Sequence, residues 1–418
     1  MRVSNLGQDA EEPQIVIDAA GETIAVWERR RKEHRSVIQS PSRPAGGDWS
    51  APTTISSFGS FEPQVAVNAN GEAVAVWRHR AGHKIVVQGA SRSSGGDWSA
   101  PTTLSRGRGE FFEPKVAIDD AGEAIAAWEV SFRDDSSVVQ SASRSLLGTW
   151  SKPTNAFPRV PTRDSGGTQV AIAATGEAIA VWGYFDPKFI GIVQSASRPA
   201  GGTWSRPIEL SRMPEALAVP EPEIAFNAAG EVVAVWEREE DISTDISIQS
   251  ASHPPGGAWS RPVSVYKGHT EAEYVFPEIA VSNAGEAVAV WEGYGAGSAL
   301  IQSASRPPGG AWSQPVGVFG GSDQAAYHEA GENPPYVAIN ASGDAVAVWQ
   351  GPFKGIRAAS RSPDGLWSPS SKLSRERVPY DYNPHIAISP TGEAVALWEH
   401  LTGGHALIQS SSRLPGWS

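Results

Sequence analysis

The chain has 418 residues, with 34 lysines and arginines against 46 aspartates and glutamates, and its formal net charge is -12. An acidic chain lacks the basic surface that nucleic acids and anionic membranes require, so both are excluded as partners. The absence of cysteine excludes disulfides and thiolate chemistry, and no apolar run approaches the roughly 18 residues of a membrane span.

Sixteen tryptophans divide the whole chain into eight repeats of about 50 residues, with two tryptophans in each repeat. The first ends an apolar run such as GEAVAVW, and the second follows a turn such as RPAGG. Because the repeat is continuous and leaves no linker, we predict a single domain over residues 1–418. The first tryptophans are Trp27, Trp77, Trp128, Trp182, Trp236, Trp291, Trp349 and Trp398, and the second are Trp49, Trp98, Trp150, Trp204, Trp259, Trp312, Trp367 and Trp417.

Residues 63–105 show the elements of one repeat in chain order. Two apolar runs, 63–68 (PQVAVN) and 73–78 (AVAVWR), flank a tight turn that contains glycine. A third run covers 85–92 (IVVQGASR), and the polar segment 98–105 (WSAPTTLS) carries a proline that suits an edge strand. No segment has a sustained 3.6-residue apolar period, so helices are not expected. This pattern predicts an all-β fold, an eight-bladed β-propeller with four antiparallel strands in each blade, and a parallel β-solenoid is the alternative.

The two ends of the chain complement each other. The last repeat stops at residues 416–418 (GWS), where its fourth strand should continue. Residues 2–6 (RVSNL) match the end of a fourth strand, as at 54–56 (TIS). We therefore predict that the N-terminal strand completes the last blade and closes the ring, which leaves no unpaired sheet edge.

Spacing distinguishes the two faces of the predicted disc. The residue that opens the first strand lies 14 positions before the first tryptophan in every repeat, as from Pro13 to Trp27. The segment from the first tryptophan to the end of the third strand varies from 11 to 16 positions. The segment from the second tryptophan to the next first tryptophan varies from 28 to 37. Since successive strands reverse direction, both variable segments emerge on one face, the variable-loop face, and we predict that this face carries the binding surface.

The turn before the second tryptophan resembles the Asp-box, S-x-D-x-G-x-T-W, of the sialidase-like (BNR-repeat) β-propeller superfamily. Residues 197–204 (SRPAGGTW) match it at Ser197, Gly201, Thr203 and Trp204, whereas proline or serine replaces the aspartate. The resemblance covers every repeat and implies the propeller fold with degenerate Asp-boxes, which in this superfamily are structural turns.

The same resemblance implies a catalytic set for a sialidase: three arginines, a Tyr–Glu pair and an acidic aspartate. Residues 157–161 (FPRVP) are only loosely similar to the superfamily's segment around the first arginine, and they lie in a different blade. The other members cannot be placed on matching positions, so we expect no sialidase activity and no catalytic residues.

Polar residues flank the proline that opens the first strand, where we expect the mouth of the central channel. Carboxylates around one opening suit a cation or a cationic ligand, and their mutual repulsion raises their pKa values. The structural alternative is a Glu-Pro turn that caps the strand and faces solvent. The residues are Glu12, Glu62, Glu113 and Glu221 before the proline, and Lys115, Glu223, Glu278, Tyr336 and His385 after it.

Arginine and aromatic residues mark the predicted loops between the second and third strands, with Arg78 and Tyr184 as the main candidates. Such residues suit a carbohydrate or protein surface, and a solvated loop is the alternative.

Histidines are present, but their spacing is not that of a metal-binding motif. His79 stands near His83, and His328 stands between Tyr327 and Glu329, without an HExxH pattern. The chain also lacks G-x-S-x-G, phosphate-loop and dinucleotide motifs. We predict no metal site and no cofactor.

The leading hypothesis is a non-catalytic monomeric scaffold that binds a protein or carbohydrate partner through its variable-loop face. The main alternative is a sialidase-like glycoside hydrolase or lyase that uses Asp323, Glu329 or Glu332. A third hypothesis is a multivalent lectin with one weak sugar site at each blade junction. The first residues lack a signal-peptide core, which fits a cytoplasmic protein or an extracellular one whose signal has been removed.

Overall fold

The repeat pattern is realised as an eight-bladed β-propeller of eight antiparallel sheets. The computed structural model describes residues 1–5, 9–30, 35–156, 159–162, 164–214, 216, 218–227, 229–239, 245–269, 275–295, 298–319, 334–351, 355–374 and 380–413. These residues contain no helix, and therefore none long and apolar enough to cross a membrane.

Blades 1 to 4 occupy the first half of the chain. Blade 1 contains Ala10–Ile17 (β1), Thr23–Arg29 (β2), Val37–Ser40 (β3), Ser42–Arg43 (β4) and Thr53–Thr54 (β5). Blade 2 contains Ser60–Val67 (β6), Ala73–Ala81 (β7), Lys84–Arg92 (β8) and Thr102–Thr103 (β9). Blade 3 contains Glu110–Ile118 (β10), Ala124–Phe132 (β11), Ser136–Arg144 (β12), Thr154–Asn155 (β13) and Val160–Pro161 (β14). Blade 4 contains Asp164–Ile172 (β15), Ala178–Phe185 (β16), Gly191–Arg198 (β17) and Ile208–Met213 (β18).

Blades 5 to 8 follow in the second half. Blade 5 contains Glu223–Phe226 (β19), Val232–Glu239 (β20), Asp245–His253 (β21) and Val263–His269 (β22). Blade 6 contains Glu278–Val281 (β23), Ala287–Gly295 (β24), Ser298–Arg306 (β25) and Val316–Phe319 (β26). Blade 7 contains Tyr336–Ile339 (β27), Ala345–Gln350 (β28), Ile356–Arg361 (β29) and Ser371–Lys372 (β30). Blade 8 contains Asp381–Ile388 (β31), Ala394–Thr402 (β32) and His405–Arg413 (β33).

The first strand of each blade lies innermost. Within each sheet the strands follow chain order from this edge outward, as in β6-β7-β8-β9. Each first strand contacts the first strand of the next blade, and β31 contacts β1, so the eight first strands form a closed ring around the channel. A residue placed early in a first strand therefore faces the same channel as its equivalents in the other seven blades.

The first tryptophan of every repeat is a core residue, with an exposed fraction between 0% and 2%. Each one packs against the second and third strands of the preceding blade. Trp77 contacts the cluster of Val26 and Ile38 from blade 1, and Trp398 contacts Val348 from blade 7. Large rings at the same position of every blade thus fill the wedge between neighbouring sheets.

Ion pairs of buried arginines reinforce these junctions on the constant face, where the strand-one to strand-two hairpins lie. An arginine at the end of the third strand reaches the glutamate of the first hairpin in the preceding blade. Arg43 Nη2 lies 2.7 Å from Glu393 Oε1, and both side chains are buried. The other pairs of this type are Arg92–Glu22, Arg144–Glu72, Arg306–Glu231 and Arg361–Glu286. The sequence analysis did not predict this contact.

Strand boundaries differ from the sequence prediction in two places. The second strands continue past the tryptophan, so Arg78 lies inside β7 and Tyr184 inside β16 rather than in loops. The fourth strand is shorter than predicted in several blades, with only Thr102–Thr103 in blade 2. The second and third strands are longer than the fourth because each of them pairs with a neighbour on both edges, whereas the fourth strand pairs on one edge only.

The N-terminal segment runs beside β33 in blade 8. Arg2 forms an isolated bridge with Gln409, and the Val3 amide donates to the Ile408 carbonyl at 2.8 Å. Val3 is buried in the cluster that includes Trp27. Residues 6–8 and 414–418, including Trp417, lie outside the described residues. That the ring depends on this segment for its closure stays a prediction.

Deleting residues 1–5 should expose the edge of β33 and remove Val3 from the core, which favours association through the free edge. We expect the melting temperature to fall by roughly 2–5 °C, together with oligomers in size-exclusion chromatography. Asn5→Ala, at an exposed position, is the control. A truncated protein that stays monomeric and melts like the parent contradicts the closure model.

Glu393→Ala should leave the Arg43 guanidinium buried without its carboxylate partner. Breaking a buried pair in this way costs about 3–5 kcal/mol, measured as a shift in the urea unfolding curve. The matched control is Glu209→Ala in the exposed pair Arg212–Glu209, where the expected loss is below about 1 kcal/mol. Equal losses of unfolding free energy in the two variants would show that the junction pair stabilises the protein no more than an exposed pair does.

Candidate functional site

The first strands of blades 1 to 3 enter the channel through a β-bulge at the Glu-Pro pair. Glu12, Glu62 and Glu113 have φ values of 55°, 51° and 44°, in the left-handed region that side-chain-bearing residues seldom adopt. The pairing register with the second strand shifts at this point, as between Phe61 and Gln64 in blade 2. The Glu-Pro pair therefore lies inside the strand, and the expectation of a turn that only caps the strand is wrong for these blades. Bulges of this kind re-aim the neighbouring side chains.

The residue after the proline position contributes one side chain per blade to a single layer, which we call the polar ring. Each member pairs with the equivalent residue of its second strand, as Gln64 with Val76 and Glu278 with Val290. Because the first strands form a closed ring, the eight positions lie at one level of the channel. The polar ring consists of Gln14, Gln64, Lys115, Gln169, Glu223, Glu278, Tyr336 and His385.

Several members of the polar ring contact their neighbours. Gln14 Nε2 lies 3.3 Å from His385 Nε2, and the rings of Tyr336 and His385 have centroids 4.1 Å apart. Gln169 Nε2 donates to Glu223 Oε1 at 2.7 Å. These contacts form two groups, Gln14–His385–Tyr336 and Gln169–Glu223, whose members come from different blades and lie at least 49 positions apart in the chain.

Three members have polar groups without a hydrogen-bond partner among the described residues: the Lys115 ammonium, the Glu278 carboxylate and the Tyr336 hydroxyl. Lys115 also has no ion pair within 4.0 Å in the described part of the chain. Polar groups in a confined place are normally hydrogen-bonded, so these groups are available to solvent or to a ligand in the channel.

Burial shifts the pKa values of the carboxylates in the polar ring. Burial raises the pKa of Glu278 well above its usual range, and repulsion from Glu223 adds to it. Burial also raises the pKa of Glu223, where Lys115 opposes the shift while Glu221 and Glu113 add to it. The ring therefore holds carboxylates whose ionisation would be favoured by an additional positive charge.

The aromatic members of the polar ring, Tyr336 and His385, are uncharged near neutral pH. Burial lowers the pKa of His385 to about 3, and the positive charge of Lys115 contributes in the same direction. Burial raises the pKa of Tyr336, with repulsion from Glu278 and Glu223. Near neutral pH the stacked pair thus offers neutral hydrogen-bonding groups and ring faces.

A cavity of about 400 Å³ opens above part of the ring on the variable-loop face. Arg78 stands in its wall between the rings of Phe61 and Phe112, with the guanidinium carbon 4.8 Å from each centroid. Its Nη1 contacts both oxygens of Glu62, at 2.7 and 2.9 Å. We call this space the mouth cavity. Its lining is Glu12, Gln14, Glu62, Pro63, Gln64, Arg78, Phe112, Glu113, Pro114, Lys115, Asn383 and His385.

A second layer of glutamates, which sequence reasoning missed, supports the mouth. It occupies the position after the first tryptophan and comprises Glu28, Glu129, Glu237, Glu292 and Glu399. Glu399 Oε1 accepts from the Glu12 amide at 2.8 Å and from Asn383 Nδ2 at 2.7 Å. Glu129 accepts a hydrogen bond from the Ser165 hydroxyl of the next blade. The recurring W-E dipeptide was the available signal.

Burial dominates the electrostatics of these supporting carboxylates. It raises the pKa of Glu129 to about 7 against the Ser165 hydrogen bond, with Glu113 and Asp164 adding repulsion. It likewise raises the pKa of Glu12 to about 7, where Glu28 is the largest repelling charge. Such carboxylates bind protons near neutral pH, at a site that is rich in negative charge.

The remaining candidates lie outside the mouth cavity. Glu221 lines a neighbouring cleft of about 400 Å³ together with Asp164, Glu237 and Phe276. Tyr184 lies within blade 4, where its hydroxyl accepts from Gln194 Nε2 at 3.2 Å. Asp323, His328, Glu329 and Glu332 fall outside the described residues, as do residues 157–158.

The described residues contain no group of three or more histidine, aspartate or glutamate side chains arranged to hold a metal ion. His79 is buried and lies 3.0 Å from the Ser60 hydroxyl, whereas His83 is exposed.

A recurring apolar position marks the opposite end of the channel. A cavity of about 300 Å³ on the constant face is lined by one apolar residue from each blade, together with aspartates and asparagines such as Asp18, Asn68 and Asp119. Unlike the mouth cavity, its described lining contains no glutamate, lysine or arginine. The apolar residues are Ile17, Val67, Ile118, Ile172, Phe226, Val281, Ile339 and Ile388.

No protein-family model and no curated protein matches this chain. Among solved structures, the BP39L lectin from Burkholderia pseudomallei aligns with a TM-score of 0.56 and 14% identity, over 87% of this chain and 98% of that chain. An ulvan lyase of polysaccharide lyase family PL25 aligns with a TM-score of 0.50 and 11% identity, over 90% and 95%. The intramolecular trans-sialidase from Ruminococcus gnavus aligns with a TM-score of 0.44 and 12% identity, over 85% and 94%. At these identities the similarity is one of fold, and the chain shares the propeller architecture of a lectin and a lyase.

Glu129→Gln should stabilise the protein above neutral pH. The folded-state pKa of Glu129 is about 7, against an ordinary value of 4.5 for a glutamate. The native state therefore binds the proton more tightly, and this residue's contribution to stability falls as the pH rises from about 4.5 to 7. We expect a gain of about 1–3 kcal/mol at pH 8 and almost none at pH 5, measured by urea unfolding at both values. Glu110→Gln, at an exposed position of β10, should change neither, and a pH-independent gain for Glu129→Gln contradicts the electrostatic explanation.

Proposed function

We propose that this protein is a non-catalytic carbohydrate-binding β-propeller whose ligand enters the mouth cavity on the variable-loop face. The observation that carries the proposal is the convergence of carboxylates, amides and an aromatic ring on one cavity of about 400 Å³. Sugar hydroxyls donate to carboxylates and exchange hydrogen bonds with amides, while the apolar face of a pyranose packs on an aromatic ring. The volume lies within the range of small-molecule sites.

The charge of the cavity argues against a sialidase. A sialic acid carboxylate requires free arginines, and Arg78 is the one arginine among the described lining residues. Its guanidinium is already bound to Glu62 and packed between Phe61 and Phe112. A uronate substrate of a lyase would meet the same surrounding carboxylates and be repelled.

The turns between third and fourth strands support our inference that the chain belongs to the sialidase-like superfamily with degenerate Asp-boxes. The Gly202 amide donates to the Pro199 carbonyl at 2.9 Å, and equivalent bonds close the turns in blades 1, 2, 5 and 6. The proline occupies the place of the motif aspartate, and the turn forms through its backbone instead.

A multivalent lectin is the second candidate. A groove of about 700 Å³ between blades 1 and 2 is lined by hydroxyl side chains together with Asp97 and Trp98. If this groove and its equivalents are the sugar sites, calorimetry should give several sugars per chain, whereas a single mouth site gives one.

A glycan array on the parent protein, followed by calorimetry with the best ligand, tests the proposal. Phe112→Ala should weaken binding at least about tenfold, because it removes the aromatic face of the mouth cavity. The matched control is Phe226→Ala, at the end of the channel on the constant face. This variant should bind like the parent. Loss of binding only in Phe226→Ala would place the site on the constant face.

A broad glycosidase and lyase screen on the same protein addresses the enzyme alternative. We expect no turnover. Hydrolysis of a glycoside that is abolished by Glu113→Gln in a folded protein would replace the binding proposal with a catalytic one.

A further inference from the structure

The charges around the polar ring are unbalanced. Lys115 lowers the pKa values of Glu221, Glu223 and Glu278, so a single ammonium serves three carboxylates. Glu113 adds a fourth negative charge that acts on Glu221 and Glu223. The other cation of the mouth cavity, Arg78, is paired with Glu62. This part of the channel therefore has room for one more positive charge.

The arrangement of these carboxylates favours a bulky organic cation over a bare metal ion. A metal requires several ligands converging on one point, and no such group occurs among the described residues. Here the carboxylates are distributed around the lumen, on the first strands of blades 3, 5 and 6 and just before that of blade 5. An ammonium that carries several hydrogen-bond donors can contact such a dispersed set.

The neighbouring groups of the ring suit the rest of a sugar. The Glu278 carboxylate and the Tyr336 hydroxyl have no hydrogen-bond partner in the described part of the chain. Tyr336 stacks on the neutral His385, which presents ring faces beside them. Gln14 and Gln64, members of the same ring, line the mouth cavity. The Glu278 and Tyr336 side chains are half-buried, so their polar groups are open to a ligand that enters the channel.

We propose that the channel site selects carbohydrates that carry a free amino group, with the ammonium held between Glu223 and Glu278. This inference rests on the proposed carbohydrate-binding function and names the class of sugar. The amine donates to the two carboxylates, the sugar hydroxyls bond to the amides and to Tyr336, and acidic sugars are excluded by charge. Lys115 competes with the ligand for the same carboxylates and limits its affinity.

The test uses isothermal titration calorimetry of the full chain with three probes of equal length: a β-1,4-linked glucosamine trimer, its N-acetylated form and cellotriose. We expect the glucosamine trimer to bind at least about tenfold more tightly than the other two. Glu278→Gln should reduce this affinity about tenfold, and Lys115→Met should increase it several-fold, because it removes the competing ammonium. Glu110→Gln on the same face is the control for a change of net charge.

The opposite signs expected for Glu278→Gln and Lys115→Met separate a role in binding from a structural role. Circular dichroism and thermal melting check that each variant is folded, and Lys115→Met remains informative if Glu278→Gln does not fold. Equal affinity for all three trimers overturns the amine inference and leaves carbohydrate binding intact. Preference for the glucosamine trimer that neither variant changes places the amine site elsewhere and also overturns it. No binding of any sugar on the array or in calorimetry overturns the proposed function itself.

Discussion

The packing of each first tryptophan against the preceding blade is the interaction on which the rest of the structure depends. Its ring fills the wedge between two twisted sheets, and at five junctions the described residues add an arginine–glutamate pair on the constant face. Eight tryptophan junctions close a ring, which brings residues far apart in sequence around one axis. Since the junctions are formed by strands and by hairpins of the constant face, the loops on the other face are free to vary.

A ring that is stabilised at its blade junctions can accommodate groups in its channel that oppose folding. The mouth of the channel contains carboxylates such as Glu12 and Glu129, and burial raises the pKa of each of them to about 7. Each of these carboxylates opposes folding at neutral pH. The left-handed backbone at the Glu-Pro bulges adds further strain. These carboxylates and the strained backbone are gathered at the end of the channel that opens on the variable-loop face.

The chemistry of that end limits which ligands fit. Its lining carries three glutamates against one arginine and one lysine, which favours positive over negative groups there. The propeller fold occurs in a lectin and in a polysaccharide lyase, so the fold is compatible with either activity. The distinction comes from the side chains of the mouth cavity, in which Arg78 is already bound to Glu62.

The sequence by itself determined the architecture. The constant 14-residue spacing that ends at Trp27 and its equivalents predicted eight blades and two different faces, because a repeat that cannot bury its own apolar face must pack on its neighbours. It also placed Glu62, Glu113, Lys115 and His385 near one opening, since equivalent positions of a closed repeat share a level. Only the tertiary structure decided which of them meet and in what chemical state. The bulge that turns Lys115 into the channel lies in the pairing of β10 with β11, and the burial that lowers the pKa of His385 arises from contacts with blades that are distant in the chain. No local pattern encodes such contacts, because they exist only after the ring has closed.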